Sequence, residues 1–497
     1  MNMDLLVSLT LVAPLLASGL GLLVGRHARL RDIVTVAGLV TTVAGAIAIL
    51  VAVRRDGAHV MRVGGWDPEL GIVIVADLFA SMILVVAIAT ILIVEIFAIG
   101  QRRSDSGADP ATIGPMMLVL TSGVSLALLT GDLFTLFVSF ELILVASYVL
   151  LTHQARREQV RSGMTYVVIN LLASTLFLFG LAYVYSATGT VNFALLAERI
   201  PELGDGVRYG IGTWFLVVFG IKAAMFPLFS WLPDSYPTAP TTITAVFAGL
   251  LTKVGVYVLI RFNTLTGMDE LGPILLAAAA LTMVVGVIGA LSQNDVKRIL
   301  SFHVISQIGY MLLGLGLFTV SGIAGAVFFL VHHMPVKTVL FLVGGLIEDD
   351  QHHSSLDRMG GLASRKPFLA LLFAVPALSL AGIPPFSGFV AKLALIDAGL
   401  SATEYTMVVV ALAVGLLTLL SMSKIWIGAF WGAPTTPPGD GVALSGPRSS
   451  GVMYGATTVL IVLTLSIAAA AGPIWSMANT VAVDLLDPGV YIRQVLG

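Results

Sequence analysis

Hydrophobic runs of helical length, separated by short polar breaks, cover almost the whole 497-residue chain. At about 20 apolar residues per bilayer crossing, fourteen spans can be marked, near residues 4–24, 32–53, 72–100, 112–130, 132–152, 164–187, 209–228, 240–262, 272–292, 299–319, 322–346, 368–400, 405–431 and 452–475. The pattern predicts an all-α integral membrane protein, with 1–497 as a single polytopic membrane domain. Two spans are interrupted. Pro227 closes the seventh and is followed by Pro233, Pro237 and Pro240, while Gly382-Ile383-Pro384-Pro385 divides the twelfth. Proline frees backbone groups that lipid cannot satisfy, so such breaks lie against protein or water.

The breaks suggest a larger organisation. Two blocks of five spans, 112–262 and 272–431, each carry a broken helix in fourth position, bearing Lys222 or Lys392. Five is odd, so the blocks run with opposite topology, as two inverted five-helix repeats of the kind found in secondary transporters. Residues 432–451, GAPTTPPGDGVALSGPRSSG, read as a Pro/Gly-rich linker before a final helix over 452–475.

Composition agrees: 57% of residues are hydrophobic, 11% are charged, and the mean hydropathy is +0.99. A net charge of −2 gives no support for nucleic-acid binding. The lack of cysteine excludes disulfides, thiol redox chemistry, iron–sulfur clusters and Cys-ligated zinc. No basic stretch precedes the first apolar run, which therefore reads as a membrane helix and not a cleaved signal. Basic residues concentrate in the odd-numbered loops (Arg26, Arg29, Arg31, Arg102, Arg103, Arg156, Arg157, Arg161, Lys297, Arg298, Arg358, Arg365, Lys366, Arg448). The positive-inside rule then places both termini outside, with Arg54 and Arg55 as the main exceptions.

The charges that remain inside the spans are selective. Five of the seven lysines (Lys222, Lys253, Lys337, Lys392 and Lys424) fall within apolar stretches. The nineteen arginines lie in loops or at helix ends such as Arg261. A desolvated lysine can release and regain a proton, whereas arginine stays charged. Snorkelling to the interface suits Lys424, near its helix end, better than mid-span Lys253 or Lys337. Glu141 stands near mid-span with no base in its own helix, and Lys222 is its natural partner.

His303, Ser306, Gln307 and Tyr310 follow i, i+3, i+4, i+7 spacing and share a helical face. His333 and Lys337 are i, i+4 neighbours beside His332, completing a lateral row of titratable groups. For Ser306 and Tyr310 alone, ordinary hydrogen-bonded packing is the better reading. His332, His333 and Glu348 lack metal-ligand spacing, so no metal is expected. Asp77, Glu95 and Asp397 are further acids in apolar surroundings, each a relay or a contact to a partner subunit. Asp132 and Asp234 read as helix caps.

Several stretches carry a resemblance: FELILVASYVLL, GIKAAMFPLFSWLPDSYPTAPTTITAVFAGLLTKVGVYVLIR, NDVKRILSFHVISQIGYMLLGLG, HHMPVKTVLFLVGG and AGIPPFSGFVAKLALI. Over about residues 70–430 the chain resembles the antiporter-like subunits shared by respiratory complex I and Mrp-type multisubunit Na⁺/H⁺ antiporters, and within them the D-type Mrp subunits. The resemblance implies that Glu141 is the essential acid paired with Lys222 and that Lys253 is the central lysine. It further implies that His303, His332, His333 and Lys337 belong to the connecting polar axis, and that Lys392 is its terminal charge. Pro335 stands where the family leads one to expect an aliphatic residue, which predicts a disturbed helix beside Lys337.

The reading is a non-enzymatic, proton-translocating subunit of a monovalent cation/proton antiporter, without cofactor, in the cell membrane. The implied partners are subunits of A, B, C, E, F and G type, together with H⁺, Na⁺ and lipid. One rival is a proton-pumping subunit of an NADH-quinone oxidoreductase or a related hydrogenase complex. The other is a scaffold with a dead channel, which the full set of costly buried charges disfavours.

Overall fold

The computed structural model describes residues 2–25, 27–69, 71–104, 111–153, 157–351, 353–432 and 450–497. Most of the linker read over 432–451, together with Arg26, Arg156 and Arg448, lies outside these described residues.

Helices α1 (Met3–Leu23) and α2 (Ala28–Asp56) pack side by side and lead into an antiparallel hairpin, β1 (His59–Arg62) with β2 (Val73–Ala76), in which His59 faces Ala76. Then follow α3 (Leu78–Ser104), α4 (Ile113–Leu129), α5 (Leu133–Thr152), α6 (Arg157–Thr188), the short α7 (Phe193–Arg199) and α8 (Asp205–Ala223). After the first break come α9 (Leu232–Thr238), α10 (Thr241–Val246), a π turn over Phe247–Leu251, and α11 (Thr252–Leu265). The second half holds α12 (Gly272–Ser292), α13 (Val296–Gly316), α14 (Val320–Gln351), α15 (Leu362–Arg365), α16 (Pro367–Ala381), α17 (Ser387–Ser401) and α18 (Tyr405–Ile425). The chain closes with α19 (Gly451–Ala469), α20 (Ala471–Leu486) and α21 (Pro488–Leu496). Eleven of the helical stretches among the described residues are long and apolar enough to cross a membrane, and Ile113–Leu129 and Pro367–Ala381 are shorter apolar helices. This is a multi-helix membrane protein.

Burial sorts the helices into shells. The apolar windows of Thr241–Leu265 and Val320–Gln351 are wholly buried and that of Val296–Gly316 is 94% buried, whereas that of α1, like α2, is only 39% buried. The innermost helix, α14, touches α3, α10, α13, α16, α17, α19 and α20. It runs unbroken through Pro335 as one 32-residue helix, so the disturbance expected beside Lys337 is absent.

The two breaks share a local design. Helix α8 ends at Ala224 in the left-handed region (φ 60°), and α16 ends at Gly382 (φ 89°). In both, the next amide reaches back to the carbonyl five residues earlier, Met225 to Gly220 and Ile383 to Leu378, each at 3.1 Å. This is a Schellman closure, which satisfies carbonyls that the helix end would leave bare. Other groups freed by the first break find protein partners. The Phe226 amide donates to Thr282 Oγ1 (3.0 Å) and the Trp231 indole donates to the Ile221 carbonyl (3.0 Å).

Two glycines set how closely neighbouring backbones approach the breaks. A Cβ on Gly255 would stand 2.6 Å from the Ala223 nitrogen, so α11 lies directly against the end of α8. A Cβ on Gly388 would stand 1.7 Å from the Ser379 carbonyl oxygen, so α17 starts tightly against α16.

Candidate functional site: a buried row of lysines and histidines

Lys222, Lys253, Lys337 and Lys392 are all buried, at 6%, 0%, 0% and 6% relative exposure. Each has a different local footing. Lys222, in the last turn of α8, donates from Nζ to the Asn170 carbonyl (3.3 Å) and Ser174 Oγ (3.3 Å) on α6, and lies 5.4 Å from the Phe140 ring centre. It lines a cavity of about 20 Å³ with Asn170, Tyr166 and Trp231, enough for roughly one water, which needs about 10–15 Å³.

The expected Glu141–Lys222 contact is not formed. Lys222 uses α6 as its partner, and Glu141 Oε1 is buried without a hydrogen bond. The two remain within electrostatic reach of one another. Glu141 is only half-buried. It stands on the side of α5 where Phe134, Val138, Val145 and Tyr148 are exposed.

Lys253 is the central residue of Thr241–Leu265 and stands two residues after the π turn. Its Nζ donates to the Ala248 carbonyl inside that turn and to Thr252 Oγ1 (3.3 Å). A π turn shifts the carbonyl register by one residue, and such turns are frequent at functional sites.

On α14, Lys337 Nζ and both ring nitrogens of His333 are buried without a hydrogen-bond partner. His332 Nδ1 lies 2.8 Å from Ser387 Oγ, at the start of α17. Lys392, in the second turn of α17, donates to the Ala381 carbonyl (3.1 Å), the last of α16, and lies 4.9 Å from the Tyr310 ring centre. A lysine thus spans the second break, whereas Lys222 leaves the first break to other side chains.

Electrostatic reach links these residues in order. Lys253 reaches Lys337 and His333, while His333 also reaches His332 and Lys392. His303 reaches Lys337 and Lys392 and sits 2.9 Å from Ser421 Oγ on α18. Gln307 is buried with both amide atoms unpartnered. Ser306 and Tyr310 bond to backbone carbonyls, those of Met283 (3.1 Å) and Ala411 (2.6 Å), as expected of packing residues. An unsatisfied buried polar group costs about 1–3 kcal/mol. Among the described residues, such groups gather on α13 and α14, around His303, Gln307, His333 and Lys337.

The remaining sequence candidates fall elsewhere. Asp77 is clamped by Arg261, with Nη2 to Oδ1 at 2.8 Å and Nη1 to Oδ2. Arg261 is therefore a buried ion-pair member (5% exposed). Glu95 pairs with Arg102 (2.8 Å), which also bonds Asp32 (3.0 Å), so it is held at one end of α3. Asp397 is exposed on α17, outside the buried row, which leaves the partner-contact reading. Lys424 is part-buried, and its Nζ caps the end of α12 through the carbonyls of Leu291 (2.9 Å) and Gln293 (2.7 Å). Asp132 caps α5 through the Thr135 amide (2.6 Å), but Asp234 lies inside α9 and bonds Arg298 (3.1 Å). No group of residues suited to holding a metal occurs among the described residues.

Sequence reasoning missed Asn170, Ser174, Thr252, Ser387 and Ser421. Asn170 and Ser174 had a legible signal, an i, i+4 polar pair inside an apolar span.

Broken helices facing wholly buried, lysine-bearing ones define an ion-translocating membrane subunit of the antiporter-like class. The family profile described as "NADH:quinone oxidoreductase/Mrp antiporter, TM" matches residues 130–418, and the chain belongs to that family. It is similar to the D-type Na⁺/H⁺ antiporter subunit of Alkalihalophilus pseudofirmus, with 42% identity over 99% of this chain and 100% of the relative. The corresponding D-type protein of Bacillus subtilis shares 36% identity over 99% and 100%. Among solved structures, a chain of the Mrp complex from a Dietzia species superposes with a TM-score of 0.92 at 34% identity over 100% of both chains. A chain of an archaeal membrane-bound sulfane sulfur reductase superposes with a TM-score of 0.90 at 26% identity over 99% of both.

Proposed function

We propose that this chain is the proton-translocating, D-type subunit of an Mrp-type multisubunit Na⁺/H⁺ antiporter, a transporter component and not an enzyme. The observation that carries this reading is the buried set Lys253, His333, Lys337, His332 and Lys392, linked by electrostatic reach and held by hydroxyls, carbonyls or nothing. Protons pass between Lys253 and Lys392 through Lys337 and the histidines. The Glu141–Lys222 couple sets the charge next to that row and acts through electrostatic reach. Gly255 joins the two parts mechanically, since it presses α11 against the residue after Lys222. His303 extends the row towards α18, and the two five-helix blocks are inverted repeats about it. Sodium is carried by partner subunits of A, B, C, E, F and G type, because lysines repel cations. The protein resides in the plasma membrane with both termini outside.

The test is purification of the complex with identification of its subunits, followed by Na⁺-driven proton movement in proteoliposomes. Small antiporter subunits and Na⁺-dependent exchange are expected. Copurifying flavin and iron–sulfur subunits would replace this reading with the oxidoreductase one, the role suggested by likeness to the sulfane sulfur reductase chain.

A further inference from the structure

A second polar feature lies apart from the lysine row. A cavity of about 330 Å³ opens at the end of the bundle that carries the α2–α3 hairpin and α21. Arg54, Gly57 and Gln494 on its lining are exposed, and its polar side chains include Ser476, Thr480 and Asp484. At its inner side stands Arg261, buried and bonded to Asp77 through both carboxylate oxygens. The guanidinium also donates to Tyr257 Oη (2.9 Å) and lies 5.3 Å from the Phe79 ring centre and 5.5 Å from those of Tyr257 and Tyr491. Tyr257 is fixed in turn, its hydroxyl donating to the Leu128 carbonyl (2.7 Å). Lys253, Tyr257 and Arg261 are spaced i, i+4, i+8 on α11, so the arginine stands about 12 Å from the central lysine along the axis.

We propose that this cavity is an aqueous vestibule and that the Arg261–Asp77 clamp, walled by three aromatic rings, is the barrier that separates it from Lys253. Arginine keeps its charge at any physiological pH. A cation held in a narrow pore wall excludes protons and metal cations electrostatically. The carboxylate and the rings keep that charge in one place, which a lone long side chain would not do. A purely structural role fits less well, because a buried ion pair is commonly no more stabilising than apolar residues of similar size. Here the pair lines the cavity, and its arginine stands on the same helix as Lys253, two turns away. The leak predicted below rests on the proton-row reading, whereas the labelling stands without it.

The chain contains no cysteine, so single cysteines report access directly. In the assembled complex, Thr480→Cys is expected to react with a membrane-impermeant thiosulfonate, and Thr252→Cys, beside Lys253, is not. Combining Thr252→Cys with Arg261→Met should make it reactive. In proteoliposomes without exchangeable metal cations, Arg261→Met should speed the collapse of an imposed pH gradient severalfold. If Arg261→Met does not assemble, Arg261→Lys, which cannot bond the carboxylate in the same two-pronged way, should give a smaller rise in both readouts. An unreactive Thr480→Cys would overturn the vestibule. An intact pH gradient with Thr252→Cys still protected in the Arg261 variants would overturn the barrier. Lost exchange in a Lys253 variant with labelling unchanged would concern the transport reading alone.

Discussion

The protein buries cations in two ways. Arg261 and Arg102 each hold a carboxylate, Asp77 for the first and Glu95 with Asp32 for the second. Lys222, Lys253 and Lys392 rest on backbone carbonyls and hydroxyls, and Lys337 has no hydrogen-bond partner at all. Desolvation penalises every one of these charges. A paired arginine answers that penalty by staying charged beside its counter-ion, which fixes helices against one another. A lysine without a carboxylate answers it by being able to lose the proton. We read the first arrangement as a fixed charge, an anchor at Arg102 and the proposed barrier at Arg261, and the second as the proposed conduit; residue type together with partner tells them apart.

Substitutions can break this contrast, beginning with the most severe. Lys253→Ala should abolish Na⁺-driven proton movement while the complex is recovered intact, since an apolar side chain suits an apolar helix; exchange near the wild-type rate would remove Lys253 from the conduit. Glu141→Ala should also abolish exchange without loss of assembly, measured by vesicle pH-gradient decay beside complex yield. Lys222→Arg keeps the charge and loses the ability to release it, so exchange should fall by an order of magnitude or more with expression preserved; full activity would make Lys222 an anchor as well.

On the other side, Glu95→Ala leaves Arg102 with Asp32 as counter-charge and should cost about 1–3 kcal/mol, read as a lower melting temperature of the detergent-solubilised complex. Lys424→Ala should be the mildest, losing about 1 kcal/mol of cap and little transport. A dead Lys424 variant beside an active Lys253 variant would redraw the row altogether.

Much of this was legible in the sequence because membrane helices are written locally. Apolar length gave most of the spans, and proline and glycine gave both breaks. The start of the span read over 72–100 is instead strand β2, and the final helix read over 452–475 ends at Ala469 and is followed by α20 and α21. The i, i+4 spacing placed His333 beside Lys337 on one helix. Pairings between distant segments were not legible. Arg261 and Asp77 are 184 residues apart, and nothing local distinguishes a clamped arginine from one that snorkels. Lys424 looked like an accessory charge because its acceptors, Leu291 and Gln293, belong to a helix more than a hundred residues earlier. Glu141 and Lys222 were expected to pair because Glu141 has no base in its own helix. Lys222 instead finds its partners on α6, a pairing between segments that neither helix's own sequence states.

The shells of burial bear on how such a protein enters a bilayer. Val296–Gly316, the least hydropathic of the long spans, is also almost wholly enclosed by other helices, and the same enclosure surrounds Lys253 and the paired histidines. Inserted singly, a helix bearing His303 and Gln307 meets hydrocarbon and gains little from crossing it. Its transfer becomes favourable only as neighbours close around it, so the polar spans depend on the apolar outer ones as temporary shelter. Biogenesis of this chain is therefore collective: the helices that carry His303, His333 and Lys337 are the least hydropathic of the long spans and the least able to reach the membrane interior alone.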